Sequence, residues 1–204
     1  MSNSIVIINH GFSNLNSISR ALEECGANVK VTEDAHDLIS ADKIVLPGVG
    51  AFSSAMKTMH SKGLSDALLE QVQQREVPVL GICLGMQLLA SNSIEGGVNQ
   101  GLNLIPGSVI PLKSVDNERI PHMGWNEVNP TKPSMLFEDI KPQRDFYFVH
   151  SFHLDCDEEY VIAKTPYCGQ FTSAVAKDSV MAVQFHPEKS LKAGFAVLKS
   201  FLEF

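Results

Sequence analysis

The feature that most constrains this chain is the run Val77-Pro78-Val79-Leu80-Gly81-Ile82-Cys83-Leu84-Gly85-Met86-Gln87-Leu88-Leu89. Its first part is an apolar segment rich in Val, Leu and Ile, the pattern of a buried strand. It ends in Gly81-x-Cys83-x-Gly85, and from Leu84 on apolar and small residues continue at helical spacing. Strand, glycine-flanked turn and helix is the build of a nucleophile elbow, with Cys where hydrolases more often carry Ser. The glycines have a steric purpose. A nucleophile at such a turn sits in a strained backbone conformation, and only neighbours without side chains let chain and substrate approach closely. The helix that follows directs its N-terminus at the sulfur, which favours thiolate over thiol. Taken alone, the turn equally fits Cys83 as a small buried hydrophobe ending a core strand.

The chain on either side supports a sheet around this element. Residues 4–8, 28–32 and 43–46 read as strands. Ser13 or Asn14 is placed to cap a helix running to Cys25, with Gly26 as its stop. Helical patterns fill residues 51–60 and 64–74. Strands alternating with helical crossovers predict an α/β fold, a mostly parallel sheet with helices on both faces. Past Ser91 the texture changes to short β-like runs at residues 107–112, 146–149, 161–165, 174–176 and 180–185. These predict added, partly antiparallel strands on the same sheet. One last helix is expected from near Ser190, with Leu191, Phe195, Leu198 and Leu202 at helical spacing. With 204 residues and no long linker, a single domain over 1–204 is expected.

Composition excludes several classes. The net charge of −7, without any Lys/Arg cluster, argues against a nucleic-acid surface. The four cysteines, Cys25, Cys83, Cys156 and Cys168, form no C-x-x-C pair and suggest neither disulfides nor zinc. His150 and His153 lie i and i+3 on a strand-like run, hence on opposite faces, so no metal site is expected. The apolar run at residues 5–8 is too short for a signal peptide or membrane span. A cytoplasmic protein without a membrane partner is the expectation.

A candidate base lies about a hundred residues beyond the elbow, at Gln184-Phe185-His186-Pro187-Glu188. A His at a strand end sits where α/β sheets place their ligand crevice. It is placed to take the thiol proton and return it to a leaving amine. Glu188, two residues on and held by Pro187, is placed to accept the other ring N–H and fix the tautomer. An exposed His-Pro-Glu turn capping the last helix is the plainer alternative.

Gly-Ile-Cys-Leu-Gly-Met-Gln followed downstream by Gln-Phe-His-Pro-Glu resembles the triad-type, class I glutamine amidotransferases, whose Cys, His and Glu hydrolyse glutamine. The resemblance implies Cys83 as nucleophile, His186 as general base and acid, and Glu188 as its orienter. It makes Pro47-Gly48-Val49-Gly50 the oxyanion strand, with Gly48 and Gly50 giving close backbone approach. The N–H near Val49 and that of Leu84 would then face the tetrahedral oxyanion. Gln87, Glu95 and Val149-His150-Ser151 are implied to hold the glutamine, and no cofactor is implied. Gln87 and Glu95 also fit ordinary surface or helix positions.

Released ammonia needs an acceptor, and no P-loop or Rossmann fingerprint offers one here, so a separate partner chain is expected. Pro121-His122-Met123-Gly124-Trp125-Asn126 reads as a β-turn with the sole Trp in the core. It also resembles the glutaminase subunits of imidazole glycerol phosphate synthases, partners of a (β/α)8 cyclase in histidine biosynthesis. That likeness implies a heterodimer with Asn14, His122, Met123, Trp125 and Lys189 at or near the interface. One stretch departs from it. The family commonly reads Asp-Tyr-Gly-x-Gly-Asn-Leu after its first strand, whereas this chain has Asn9-His10-Gly11-Phe12-Ser13-Asn14-Leu15. Three rivals remain beside it: a paralogue feeding a sugar amidotransferase of surface-polysaccharide synthesis, a catalytically silent regulatory subunit, and a stand-alone cysteine hydrolase.

Overall fold

In the computed structural model, which describes residues 4–115, 117–138, 140 and 144–204, the first half alternates strand and helix as its periodicity predicts. It runs β1 (Ser4–Ile8), α1 (Leu15–Glu24), β2 (Asn28–Thr32), β3 (Lys43–Gly48), α2 (Phe52–Ser61), α3 (Leu64–Arg75), β4 (Val79–Cys83) and α4 (Leu84–Leu88). The strands carry apolar side chains on both faces because helices cover both. Ile5, Ile7, Val45, Leu80 and Ile82 pack on one face with Ile18 and Leu22 of α1. Val6, Ile8, Ile44, Leu46 and Val79 pack on the other with Phe52 and Met56 of α2 and Leu64 and Leu68 of α3.

The second half runs β5 (Ala90–Ser93), β6 (Asn99–Gln100), β7 (Ile105–Pro111), β8 (His122–Pro130), β9 (Arg144–His150), β10 (Phe152–Cys156), β11 (Val161–Thr165), β12 (Phe171–Lys177), β13 (Val180–Val183) and α5 (Leu191–Glu203). The main sheet has nine strands in the order β2-β1-β3-β4-β13-β12-β11-β8-β9. β13 pairs parallel with β4, and the strands beyond it pair antiparallel. The added strands therefore do extend the first sheet.

Three expectations need correcting. Not all later strands join that sheet, because β10-β7-β5-β6 form a second, four-stranded one. The elbow helix lasts only from Leu84 to Leu88 before the chain turns into β5. The last helix buries Gly194, Val197, Leu198 and Phe201 and leaves Leu191 70% exposed, so its inner face is rotated from the one the spacing suggested. Gly194 sets that face, since a Cβ there would lie 1.9 Å from the carbonyl oxygen of Pro187. No helix among the described residues is long and apolar enough to cross a membrane.

Candidate active site

Cys83 ends β4 with φ 55° and ψ −109°, a left-handed conformation that a side chain adopts only under constraint. The flanking glycines supply the constraint. A Cβ on Gly85 would lie 1.7 Å from the Leu46 carbonyl oxygen, and one on Gly81 would lie 2.8 Å from Leu89 Cδ1. The elbow is thus pressed against β3 and its own helix, and the sulfur projects from the carboxyl end of the sheet.

The base arrives on the neighbouring strand. β13 pairs with β4 so that Val183 faces Ile82, and His186 and Cys83 leave the same sheet edge side by side. His186 Nδ1 lies 2.8 Å from Glu188 Oε1, and both side chains are almost fully buried. The His186 backbone is pinned too, its N–H donating to Tyr147 O at 2.9 Å and its carbonyl accepting from Ser190 Oγ at 2.6 Å. Nε2, the ring nitrogen that would face a substrate, is buried and makes no hydrogen bond of good geometry. Burial opposes charge on this imidazole. The Cys83 sulfur and the Glu188 carboxylate beside it more than offset that, and raise its pKa from 6.5 to about 10.

A cleft of about 490 Å³ opens beside the sulfur, lined by Val49, Gly50, Cys83, Leu84, Gln87, Glu95, Val149, His150 and Ser151 together with Pro121 and Phe152. Every residue expected to hold glutamine lines this one cavity. Gln87 is buried and donates Nε2–H to Phe152 O at 2.9 Å and to Gln184 Oε1 at 3.1 Å. Glu95 accepts the Phe52 N–H at 2.8 Å, a carboxylate at the first turn of α2. Among the expected oxyanion donors, Leu84 opens α4, where a backbone N–H lacks an intrahelical partner. The Val49 N–H is committed elsewhere, donating to Phe12 O at 2.7 Å. Gly48 is hemmed in, as a Cβ there would meet Leu84 Cβ at 3.0 Å, and Gly50 takes φ 94°.

Residues 6–203 match the family model described as glutamine amidotransferase class-I. This chain belongs to the class-I glutamine amidotransferases. It is 45% identical over 197 residues to "Imidazole glycerol phosphate synthase subunit HisH 1" of Campylobacter jejuni, covering 97% of this chain and 98% of that one. Subunit HisH of Moorella thermoacetica is 46% identical over 200 residues, covering 98% and 94%. Subunit HisH of Methanocaldococcus jannaschii is 46% identical over 199 residues, covering 98% of each. The fold matches PurLQS of Thermotoga maritima with a TM-score of 0.77 at 18% identity, over 100% of this chain and 99% of that one. A glutamine amidotransferase of the same organism matches with a TM-score of 0.70 at 17% identity, over 100% and 97%.

The residues expected on the partner side of this amidotransferase divide by strand alternation. Residues 121–126 are not a turn around a core Trp. From His122 they are strand β8, with Met123 63% and Trp125 48% exposed on its outer face. Trp125 meets Tyr147 edge-on at 6.1 Å, and Lys189 Nζ stands 5.6 Å above the Tyr147 ring. Asn14 and Lys189 are exposed. His122 faces inward instead, 4% exposed and stacked on Tyr167 at 4.0 Å. No cluster of three or more His, Cys, Asp or Glu among the described residues could hold a metal ion.

Sequence reasoning passed over Gln184, Ser190 and Phe12. Gln184, fully buried, donates Nε2–H to the Cys83 sulfur at 3.7 Å. Its position two residues before His186 on an extended run was the available signal. Ser190, read as the start of the last helix, also accepts the Tyr147 N–H at 3.0 Å and so ties the base to β9.

Proposed function

We propose that this chain is the glutaminase subunit of an imidazole glycerol phosphate synthase. It hydrolyses L-glutamine to glutamate and ammonia and passes the ammonia to a cyclase subunit in histidine biosynthesis. The observation that carries the reading is full-length identity of about 45% to synthase subunits that bear this name. Cys83 on the cleft wall, with the buried His186–Glu188 pair beside its sulfur, supports the chemistry.

In this mechanism the Cys83 thiolate attacks the carboxamide carbon while His186, an imidazolium at neutral pH by the direction of its shift, holds the proton. His186 gives that proton to the departing ammonia. The neutral ring then takes a proton from water, which hydrolyses the glutamyl thioester. Glu188 holds the Nδ1–H and keeps Nε2 toward the reacting atoms. Backbone N–H groups of Leu84 and Val49 stabilise the oxyanion, Val49 after its peptide rotates away from Phe12. Gln87, Glu95 and the segment Val149-His150-Ser151 hold the substrate.

The chain acts as one domain, cytoplasmic and without a cofactor, in a heterodimer with a (β/α)8 cyclase. Met123, Trp125, Asn14 and Lys189 form the docking face, with His122 supporting it from below. A direct test is Cys83→Ala in the complex. Glutamine-dependent synthesis should vanish and synthesis from ammonium salts persist. Loss of both would make Cys83 structural.

A further inference from the structure

We infer that Gln184 is a positioning residue for the nucleophile, its side-chain NH2 held toward the Cys83 sulfur by hydrogen bonds that run from the Phe152 carbonyl oxygen through Gln87. The inference rests on the glutaminase reading above.

A primary amide can present either oxygen or nitrogen, so its neighbours must decide. Phe152 O can only accept, so Gln87 must turn its NH2 that way, at 2.9 Å. The same NH2 has a second hydrogen, which reaches Gln184 Oε1 at 3.1 Å. Gln184 is thereby left with its own NH2 facing the sulfur at 3.7 Å. Flipping either amide sets like groups against each other in a buried place, where an unmatched polar contact is costly.

A second set of hydrogen bonds ends on the same Phe152 carbonyl from the side of β8 and β9. His150 Nδ1 lies 2.8 Å from the same carbonyl and must carry the proton. Burial holds the His150 pKa at about 3, so the ring is neutral and its Nε2 is a bare acceptor. His122 Nδ1, at 3.1 Å, must then be the donor to it. His122 is neutral too, its pKa lowered by burial to about 4, which leaves its Nε2 to accept from Asn126 Nδ2 at 3.2 Å. Asn126 is oriented in turn by the Glu127 N–H, which donates to its Oδ1 at 2.9 Å. Donors therefore converge on Phe152 O from two sides, His150 at the end of the hydrogen bonds from β8 and Gln87 at the start of those that reach the sulfur.

An NH2 dipole aimed at sulfur favours thiolate over thiol, whereas the Val149 carbonyl oxygen, 3.9 Å away, can accept only from the thiol. The other titratable groups near the site are His186 with Glu188 behind it, His150, and Glu95 across the cleft. Replacing Gln184 leaves all four in place.

The test uses the wild-type complex with its cyclase and two donorless variants of different shape, Gln184→Met and Gln184→Leu. Glutamate release gives kcat and KM. Carboxymethylation by iodoacetate, followed by mass on the Cys83 peptide because Cys25, Cys156 and Cys168 are also free, gives reactivity against pH. A hydrogen bond to a charged group is worth roughly tenfold or more, which corresponds to about one pH unit. Both variants should lose about tenfold in kcat with KM within about twofold, and their carboxymethylation profiles should move up by about one unit. Unchanged kcat, or lower kcat on an unmoved profile, overturns the inference. A wild-type complex that releases no glutamate fails the glutaminase reading instead.

Discussion

The Val49 N–H donates to the Phe12 carbonyl oxygen at 2.7 Å, so a proposed oxyanion donor is turned away from the Cys83 cleft. The peptide just before it is fastened as well. Pro47 O accepts from His10 Nε2 at 2.7 Å and from Ser13 Oγ at 3.1 Å. His10 and Ser13 occupy the loop that departs from the family pattern, where a glycine at position 13 has no hydroxyl to offer. A neutral hydrogen bond contributes about 1 kcal/mol. Ser13→Gly should therefore raise partner-free glutamate release a few-fold, measured on the isolated chain. An unchanged rate would mean the strand is held without Ser13.

Glu188→Gln tests the orienter. The carboxylate accepts from His186 Nδ1 at 2.8 Å in a nearly dry site, and an amide there can present the wrong group to the ring. Turnover should fall by about a hundredfold or more, by analogy with orienter losses in other triads. Glutamate release at saturating glutamine is the readout, and unchanged turnover would remove Glu188 from the mechanism.

His186 carries a raised pKa, to about 10, because the Cys83 sulfur and Glu188 favour its charged form against burial. Removing either support must lower it. In Cys83→Ala the His186 ring resonances should titrate at lower pH than in the wild type, and lower again in Cys83→Ala/Glu188→Gln. The stability linked to this charge is complete below the ordinary value of 6.5 and fades as pH rises through about 10.

The neutral pair His122 and His150 has the opposite sign. Both pKa values are lowered by burial, to about 4 and about 3, so the unfolded chain binds more protons between those values and 6.5. Stability should fall as pH drops from 6.5 toward 4. Urea midpoints measured across that range check it, and His122→Phe should flatten the slope.

Periodicity carried the parallel half of the molecule. Strands such as Lys43–Gly48 are wholly buried and lie between turn residues, and apolar runs of that kind have one structural outcome. The elbow was equally plain, because Gly81 and Gly85 answer to contacts no side chain could share. The second half was harder to read. β5 is Ala-Ser-Asn-Ser, and its pairing with β7 comes from tertiary contact rather than propensity. Residues 121–126 looked like a turn because Pro and Gly punctuate them, and only pairing with β9 makes strand of residues 122–126. At the site, the residue types of the triad and cleft were visible. The inward turn of His122 and the donor role of Gln184 depend on register, which spacing alone does not give.

Gly85→Ala tests the elbow's packing. Its Cβ would meet the Leu46 carbonyl oxygen at 1.7 Å, an overlap with backbone that cannot step aside. Destabilisation of about 3 kcal/mol or more is expected, read as a lowered thermal midpoint.

The most direct measurement is glutamate release from glutamine by the purified chain, alone and with the histidine-pathway cyclase of the same organism carrying its nucleotide ligand. Slow release alone and a large rise with the cyclase is the predicted result, since the Val49 N–H must leave Phe12 before the oxyanion site is complete. A rate indifferent to the cyclase, or no release under either condition, would contradict the assignment as a synthase glutaminase.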